Sequence, residues 1–352
     1  MTTVDATTEG HEAVALLERT RIAVDPPLRS AVAALPRALR RVAAYHFGWE
    51  HADGAPASEP AGKVIRPALV LAAARALGGD PTAGEATYAV RAAVAVELAH
   101  NFTLLHDDVI DEDPTRRHRA TAWTVFGAPD AIVAGDAMMA LALRVLAEDP
   151  HPAAPAASAR LASCVIELCA GQQADCAFEG LGPHEVSLPE CVAMATAKTG
   201  ALLGTSCALG ALYAGADDEQ VDAMDAFGRE AGLAFQLIDD LIGIWGDPGR
   251  TGKPAGADLV AHKKSLPVVA ALASGTPAAE ELAELYRGPM DGPDAVRRAA
   301  SAVERAGGRE WAQLQAADRM SRAVHQLSRA VPDIVAAGDL LALAEFVTRR
   351  TH

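Results

Sequence analysis

The sequence predicts an all-α protein built as a large single-domain helical bundle. Three observations predict it. Half of the 352 residues are hydrophobic while only 4% are aromatic, and alanine dominates the apolar set. Alanine, leucine, glutamate and arginine are strong helix formers. Apolar residues recur at the helical period, as Leu98, Phe102, Leu105 and Val109 do at +4, +3 and +4. No segment alternates like a strand and no fixed-period repeat occurs, so the pattern is that of a bundle.

Residues 1–12 read as a loose tail and residues 13–352 as one domain. The stretch HADGAPASEPAG, residues 51–62, is rich in Pro and Gly and reads as a loop. A helix begins near Ile65, because Pro67 is tolerated in a first turn, and Gly78-Gly79-Asp80-Pro81 stops it. One long helix runs from about Glu85 to Ile110, ended by Asp113-Pro114 and followed by the basic run Arg116-Arg117-His118-Arg119. Further helical stretches cover roughly 130–147, 157–178, 187–213 and 217–246. An irregular loop then leads to about Lys264. Shorter helices fill 265–350, broken at Gly275-Thr276-Pro277 and from Gly288 to Pro293.

A net charge of −15 argues against a nucleic-acid partner, which requires a basic face. It permits small anionic substrates where metal ions neutralise the contact. The five cysteines are odd in number and form no CxxC, so neither a disulfide framework nor a zinc site is indicated, and a reduced cytoplasmic protein is expected. Met1 to Gly10 is polar and acidic, unlike a signal peptide. No apolar run reaches the ~18 residues of a membrane span, so an integral membrane protein is not expected.

The chemistry concentrates in two acidic clusters. LLHDDVID, residues 104–111, places Asp107, Asp108 and Asp111 after an apolar helical run. Each helical residue advances about 100°, so Asp107 and Asp111 lie about 40° apart, with His100 within about 20° of Asp107. Thr103 joins this polar stripe. Such a stripe inside an apolar helix is costly without partners, and magnesium supplies them, taking a few carboxylates and completing its shell with substrate phosphates. The second cluster, Asp239-Asp240, ends FQLIDD, with Gln236 and Gly243 on the same side of the helix. Alone, either cluster reads more simply as a solvated helix end. Lys63, Arg66, Arg116, Arg117, Lys198, Lys253, Lys263 and Lys264 sit near chain breaks, where bases in an acidic protein can bind anions.

Taken together, these residues resemble the trans-isoprenyl diphosphate synthases, or polyprenyl synthetases, over roughly residues 30–345. The carriers are GKVIRP (62–67), His100 with LLHDDVID, Arg116-Arg117, AGDA (134–137), KTG (198–200), FQLIDD (235–240), GKP (252–254) and KKSLP (263–267). The resemblance implies an isoprenoid-synthase-type bundle around a deep central pocket, in a homodimer. It implies a magnesium-dependent prenyltransferase that joins isopentenyl diphosphate to an allylic diphosphate (dimethylallyl, geranyl or farnesyl). Asp107, Asp111 and Asp239 would hold three magnesium ions, supported by Asp108 and Asp240. Arg116, Lys198 and Lys253 would bind the allylic diphosphate. Lys63, Arg66, His100 and Arg117 would bind isopentenyl diphosphate, with Lys263 a further substrate ligand. Thr199 and Gln236 would face the developing carbocation.

Gly243 stands where the family usually has a third aspartate. Weaker metal affinity is expected rather than lost activity, with Asp247 a partial substitute and Gly243→Asp changing turnover by less than about tenfold. Phe102 and Thr103, just before the first motif, resemble the arrangement of C20-forming members, so geranylgeranyl diphosphate is the expected product. Thr103 leaves depth below the site; Phe102 either caps the pocket or packs the core. Farnesyl or longer-chain synthesis, a terpene cyclase on the same scaffold and a non-catalytic partner subunit are the alternatives. The four isopentenyl-binding residues favour elongation over cyclisation.

Overall fold

The computed structural model describes residues 6–57, 62–78, 87–247, 255–290, 292–333 and 335–348. Helices account for nearly all of its regular structure, and the chain separates into two compact units. Unit 1 comprises Met1–Val165, Thr205–Asp225 and Ser328–Leu343; unit 2 comprises Ile166–Gly204, Ala226–Leu327 and Ala344–His352.

Unit 1 opens with α1 (Ala6–Ala33), which takes in part of the 1–12 stretch read as a loose tail; residues 1–5 lie outside the described residues. Next come α2 (Arg37–His46) and α3 (Ile65–Leu77). The long helix read from Glu85 is α4 (Val90–Ile110), preceded by a 3-10 turn, Thr87–Ala89. It is packed nearly all round by α1, α3 and α6 (Ala128–Ala147). Its alanines and valines make this possible, since a helix apolar on every face is a core helix. Leu98 and Leu105 are fully buried, each contributing about 1.5–3 kcal/mol. A polar side chain on α4 therefore requires an internal partner.

Two local details escaped the sequence reading. The basic run closes a small antiparallel hairpin, β1 (Thr115–Arg116) and β2 (Arg119–Ala120), with Arg116 opposite Arg119. The short α5 (Ala122–Phe126) follows it.

Unit 2 takes the second half of α7 (Ala154–Glu179) and then α8 (Leu188–Ala195). A capping box starts α8: Ser187 Oγ accepts from Glu190 N at 3.4 Å, and Glu190 Oε2 accepts from Ser187 N at 2.9 Å. Helix α8 passes into a single π turn, Thr196–Gly200, and on into α9 (Ala201–Tyr213). Helix α10 (Asp218–Trp245) packs against this segment through glycines. A Cβ at Gly232 would stand 2.9 Å from the Gly200 Cα, and one at Gly228 only 2.7 Å from the Gly204 Cα. The backbones therefore meet where any side chain would hold them apart.

The loop expected up to Lys264 contains a further short helix, α11 (Ala257–Val260). Helices α12 (Leu266–Leu272), α13 (Pro277–Arg287), α14 (Gly292–Arg305), α15 (Gly308–Ala330) and α16 (Gly338–Thr348) complete the chain. The break at Gly275-Thr276-Pro277 works as its residues suggest. Thr276 Oγ1 accepts from Ala279 N at 3.3 Å, and Pro277 takes the first helical position. Among the described residues, no helix is long and apolar enough to cross a membrane.

Candidate active site

Unit 1 carries the first acidic motif. Asp107 is half-buried on α4, Asp108 is buried, and Asp111 caps the helix in solvent. Arg116 Nε donates to Asp108 Oδ1 at 2.6 Å, while Asp108 Oδ2 is buried with no hydrogen-bond partner. Burial pushes the Asp108 carboxyl up; Arg116 opposes this, and Asp113 and Asp111 add to it. An orphaned carboxylate oxygen in an acidic cluster suits a cation, or a water bound to one.

The hairpin presents the basic residues. Arg117 and His118 take φ of 53° and 63°, so they form its two-residue turn with left-handed backbone at both positions. That geometry normally selects Asn-Gly. Here a bulky pair is held in it, a strain that concentrates at functional sites. The Arg117 guanidinium lies against the loop backbone before Lys63, since a Cβ at Gly62 would stand 2.6 Å from Arg117 Nη2. Arg66, in the first turn of α3, donates through Nη1 to His100 Nε2 at 3.1 Å. Burial holds the His100 pKa well below its usual value, with Arg66, Arg117 and Arg116 acting the same way. His100 is therefore neutral, accepts from Arg66 at Nε2, and carries its proton on Nδ1. Lys63 is exposed beside this group.

Phe102 is buried and meets the His106 ring edge-on, with centroids 5.7 Å apart. Gly135, from the AGDA segment, makes room for that imidazole: a Cβ there would stand 2.4 Å from His106 Nε2. Thr103 is also buried, and its hydroxyl donates to His100 O at 2.7 Å.

Unit 2 carries the second motif. Lys198 and Thr199 lie in the π turn, a feature that recurs at functional sites. Gly171 on α7 admits its backbone, since a Cβ there would be 2.6 Å from Lys198 N. Lys198 Nζ donates to Asp175 Oδ2 at 2.6 Å. Thr199 Oγ1 donates to Gln236 Oε1 at 2.6 Å, Gln236 Nε2 to Asp240 Oδ1 at 2.8 Å, and Leu266 N to Asp240 Oδ2 at 2.9 Å. The Thr199 proton is thus committed to Gln236, leaving its oxygen lone pairs unused by that bond. Burial pushes the Asp240 carboxyl up to about 7, opposed by Lys263. Burial works against the Lys263 charge, but Asp240, Asp258, Asp175 and Asp239 outweigh it and raise the pKa. Lys264 turns away, donating to Glu179 O at 3.4 Å. Asp239 is exposed. Lys253, and with it GKP, lies outside the described residues.

Gly243 has a neighbouring carboxylate. A Cβ there would stand 2.3 Å from Asp258 Oδ2 and 2.5 Å from its Cγ. The carboxylate beside Gly243 is therefore that of Asp258 on α11, rather than that of Asp247, which is exposed beyond the end of α10. Sequence reasoning missed Asp258 because it treated 249–264 as featureless loop. The Gly-Ala-Asp at 256–258, shortly before Lys263, was the available signal. It also missed Asp175, which has no motif around it.

Among the described residues no three acidic, His or Cys side chains converge into a protein-only metal cage. The donors present are hard carboxylate oxygens, few per unit, with one orphaned. They fit magnesium, which is held by one or two carboxylates together with substrate phosphates.

The sequence profile described as Polyprenyl synthetase matches residues 55–303. A geranylgeranyl diphosphate synthase of Mycobacterium tuberculosis is 49% identical over 339 residues, 96% of this chain and 93% of that protein. A (2E,6E)-farnesyl diphosphate synthase of Mycobacterium bovis is 42% identical over 332 residues, 93% of this chain and 90% of the other. A solved polyprenyl synthetase from Streptomyces coelicolor A3(2) superposes with a TM-score of 0.87 at 43% identity, over 95% of this chain and 98% of that one. With the family profile spanning most of the chain and both acidic motifs in place, this protein belongs to the polyprenyl synthetase family of trans-prenyltransferases.

Proposed function

We propose that this trans-prenyltransferase condenses isopentenyl diphosphate with an allylic diphosphate and makes mainly geranylgeranyl diphosphate. One observation carries the elongation reading: Arg66 is bonded to a neutral His100, and Arg117 is packed against the loop that carries Lys63. A cyclase has no second diphosphate for such a group to hold. The residues that would hold the three magnesium ions are Asp107 and Asp111 of unit 1 and Asp239 of unit 2, with Asp108, Asp240 and Asp258 as supporting carboxylates. When bound, magnesium neutralises the charge that accumulates on the departing diphosphate.

The chain's own groups do the rest. Arg116, Lys198 and Lys253 donate to the allylic diphosphate and stabilise its charge as the C–O bond breaks. Lys263 balances the carboxylates around it. The lone pairs of Thr199, backed by Gln236, face the allylic cation, which needs a dry surround to escape water. Isopentenyl diphosphate, held by Lys63, Arg66, His100 and Arg117, attacks through its double bond, and the released diphosphate takes the proton.

The test is incubation with magnesium, isopentenyl diphosphate and each allylic primer, followed by phosphatase treatment and chromatography of the alcohols. A C20 alcohol is the expected product. A C15 alcohol would select the runner-up, which the farnesyl synthase relative favours. Hydrocarbon formed without isopentenyl diphosphate would select a cyclase, and activity only in mixture with another chain a partner subunit. No condensation at any magnesium concentration would overturn the reading. It includes a cytoplasmic homodimer, whose mass sedimentation would measure.

Phe102 sets the product length in this reading. Phe102→Ala removes a buried ring five residues before Asp107, so products longer than C20 are expected; an unchanged distribution would place the floor elsewhere. At position 243, an added side chain meets the Asp258 carboxylate. The substitution Gly243→Asp displaces Asp258, and the magnesium concentration for half-maximal activity rises about tenfold, the scale of a lost supporting contact at a metal. An unchanged magnesium response would refute the role given to Asp258.

A further inference from the structure

Behind the residues assigned to isopentenyl diphosphate lies a buried polar layer that neither motif includes. Glu97 and Asn101 are one turn apart on α4, in its most enclosed stretch, and both are buried. Asn101 Nδ2 donates to Glu97 Oε1 at 3.0 Å and to Glu97 O at 2.8 Å. His46, the last residue of α2, lies with its Nε2 3.1 Å from Asn101 Oδ1. The amide oxygen can only accept, so His46 Nε2 is the donor. Burial, then Arg117, Arg116 and Arg119, push the His46 pKa down to about 3 against the pull of Asn101, so the ring is neutral.

The bonds thus run in one direction, from His46 to Asn101 to Glu97. Glu97 stands three residues before His100 on α4, so the two side chains share one face of the helix. Burial pushes the Glu97 carboxyl up, and the Asn101 hydrogen bond, Arg66 and Arg117 oppose this; Glu97 in turn raises the Arg66 and Arg117 pKa against burial, which brings Arg66 down to about 10. Arg66 in turn donates to His100. A carboxylate this enclosed is costly to bury without charged and hydrogen-bonded partners. A helix whose buried residues are mostly apolar would not keep one for packing alone.

We propose that His46, Asn101 and Glu97 are positioning residues for the isopentenyl diphosphate site. They hold the Arg66 guanidinium, and through it the His100 Nδ1–H donor, in the orientation that receives the diphosphate. The proposal rests on the function given above. Glu97 provides the counter-charge that lets Arg66 and Arg117 sit together before the substrate arrives. Asn101 fixes the Glu97 carboxylate, and His46 fixes the Asn101 amide against rotation.

The test separates substrate affinity from turnover. Asn101→Leu keeps the volume and adds no charge, but leaves Glu97 Oε1 without its donor. The KM for isopentenyl diphosphate is expected to rise about tenfold, within the range for stranding a buried polar group. The KM for the allylic substrate and kcat at saturation stay within about twofold, since neither diphosphate leaving nor metal binding touches this layer. His46→Gln, whose amide N–H can reach the place of Nε2, should restore most of the affinity that His46→Phe loses. A merely structural role would lower the melting temperature without this split or this rescue. Should Asn101→Leu fail to fold, the two His46 variants decide alone. Equal isopentenyl diphosphate KM in wild type, Asn101→Leu and His46→Phe would overturn the proposal. Wild-type protein that never condenses isopentenyl diphosphate would overturn the functional reading instead.

Discussion

Asp239→Ala should abolish turnover, lowering kcat by at least about a thousandfold, or ~4 kcal/mol in barrier. The neighbouring groups explain why so much depends on one side chain. Asp240 is buried, and its two oxygens are taken by Gln236 Nε2 and Leu266 N. Position 243 has no side chain to offer. Asp239 is therefore the carboxylate of this motif left to face a metal ion, and it stands exposed on α10. Exposure also makes the experiment clean, because a surface substitution away from the core changes stability by only about 0.5 kcal/mol. The measurement is product formation at saturating magnesium alongside a thermal melt. Activity above about a tenth of wild type with an unchanged melt would remove Asp239 from the proposed metal shell.

Lys198→Ala should lower kcat/KM for the allylic substrate by about 10²–10³, the scale of one lost donor to a developing anion. An ammonium has three donors, and the bond to Asp175 at 2.6 Å uses one. Two remain for a diphosphate. Truncation removes them and also leaves the Asp175 carboxylate uncompensated near an anionic substrate. The double variant Lys198→Ala/Asp175→Asn should therefore recover part of the loss, about tenfold, a non-additivity that marks a coupled pair. Strictly additive effects would show that Asp175 only anchors the lysine in the resting protein. A single Lys198→Ala within about tenfold of wild type would exclude the lysine from direct contact with the leaving group.

Much of the architecture was legible in the residue order because the signals that encode helices are local. The 3.6-residue period marks α4 and α10, and proline and glycine punctuate their neighbours. Asp107, Asp108 and Asp239 were legible for the same reason: carboxylates at the end of an apolar helical run conflict with their surroundings. The hairpin at 115–120 was not, since its turn uses Arg117-His118 in place of the Asn-Gly that advertises such a turn.

Sequence by itself determined the helical class and the family, and singled out the residues proposed for metal and diphosphate. Those depend on composition, period and motif spacing within one segment. Tertiary structure alone decided which carboxylate fills the space beside Gly243, which acid holds Lys198, and what stands behind Arg66. Asp258 lies 15 residues beyond Gly243 and Asp175 lies 23 before Lys198, while His46 reaches Asn101 across 55. Such pairs form only when separate helices pack, and no local rule of spacing records which side chains that packing brings within about 3 Å of one another.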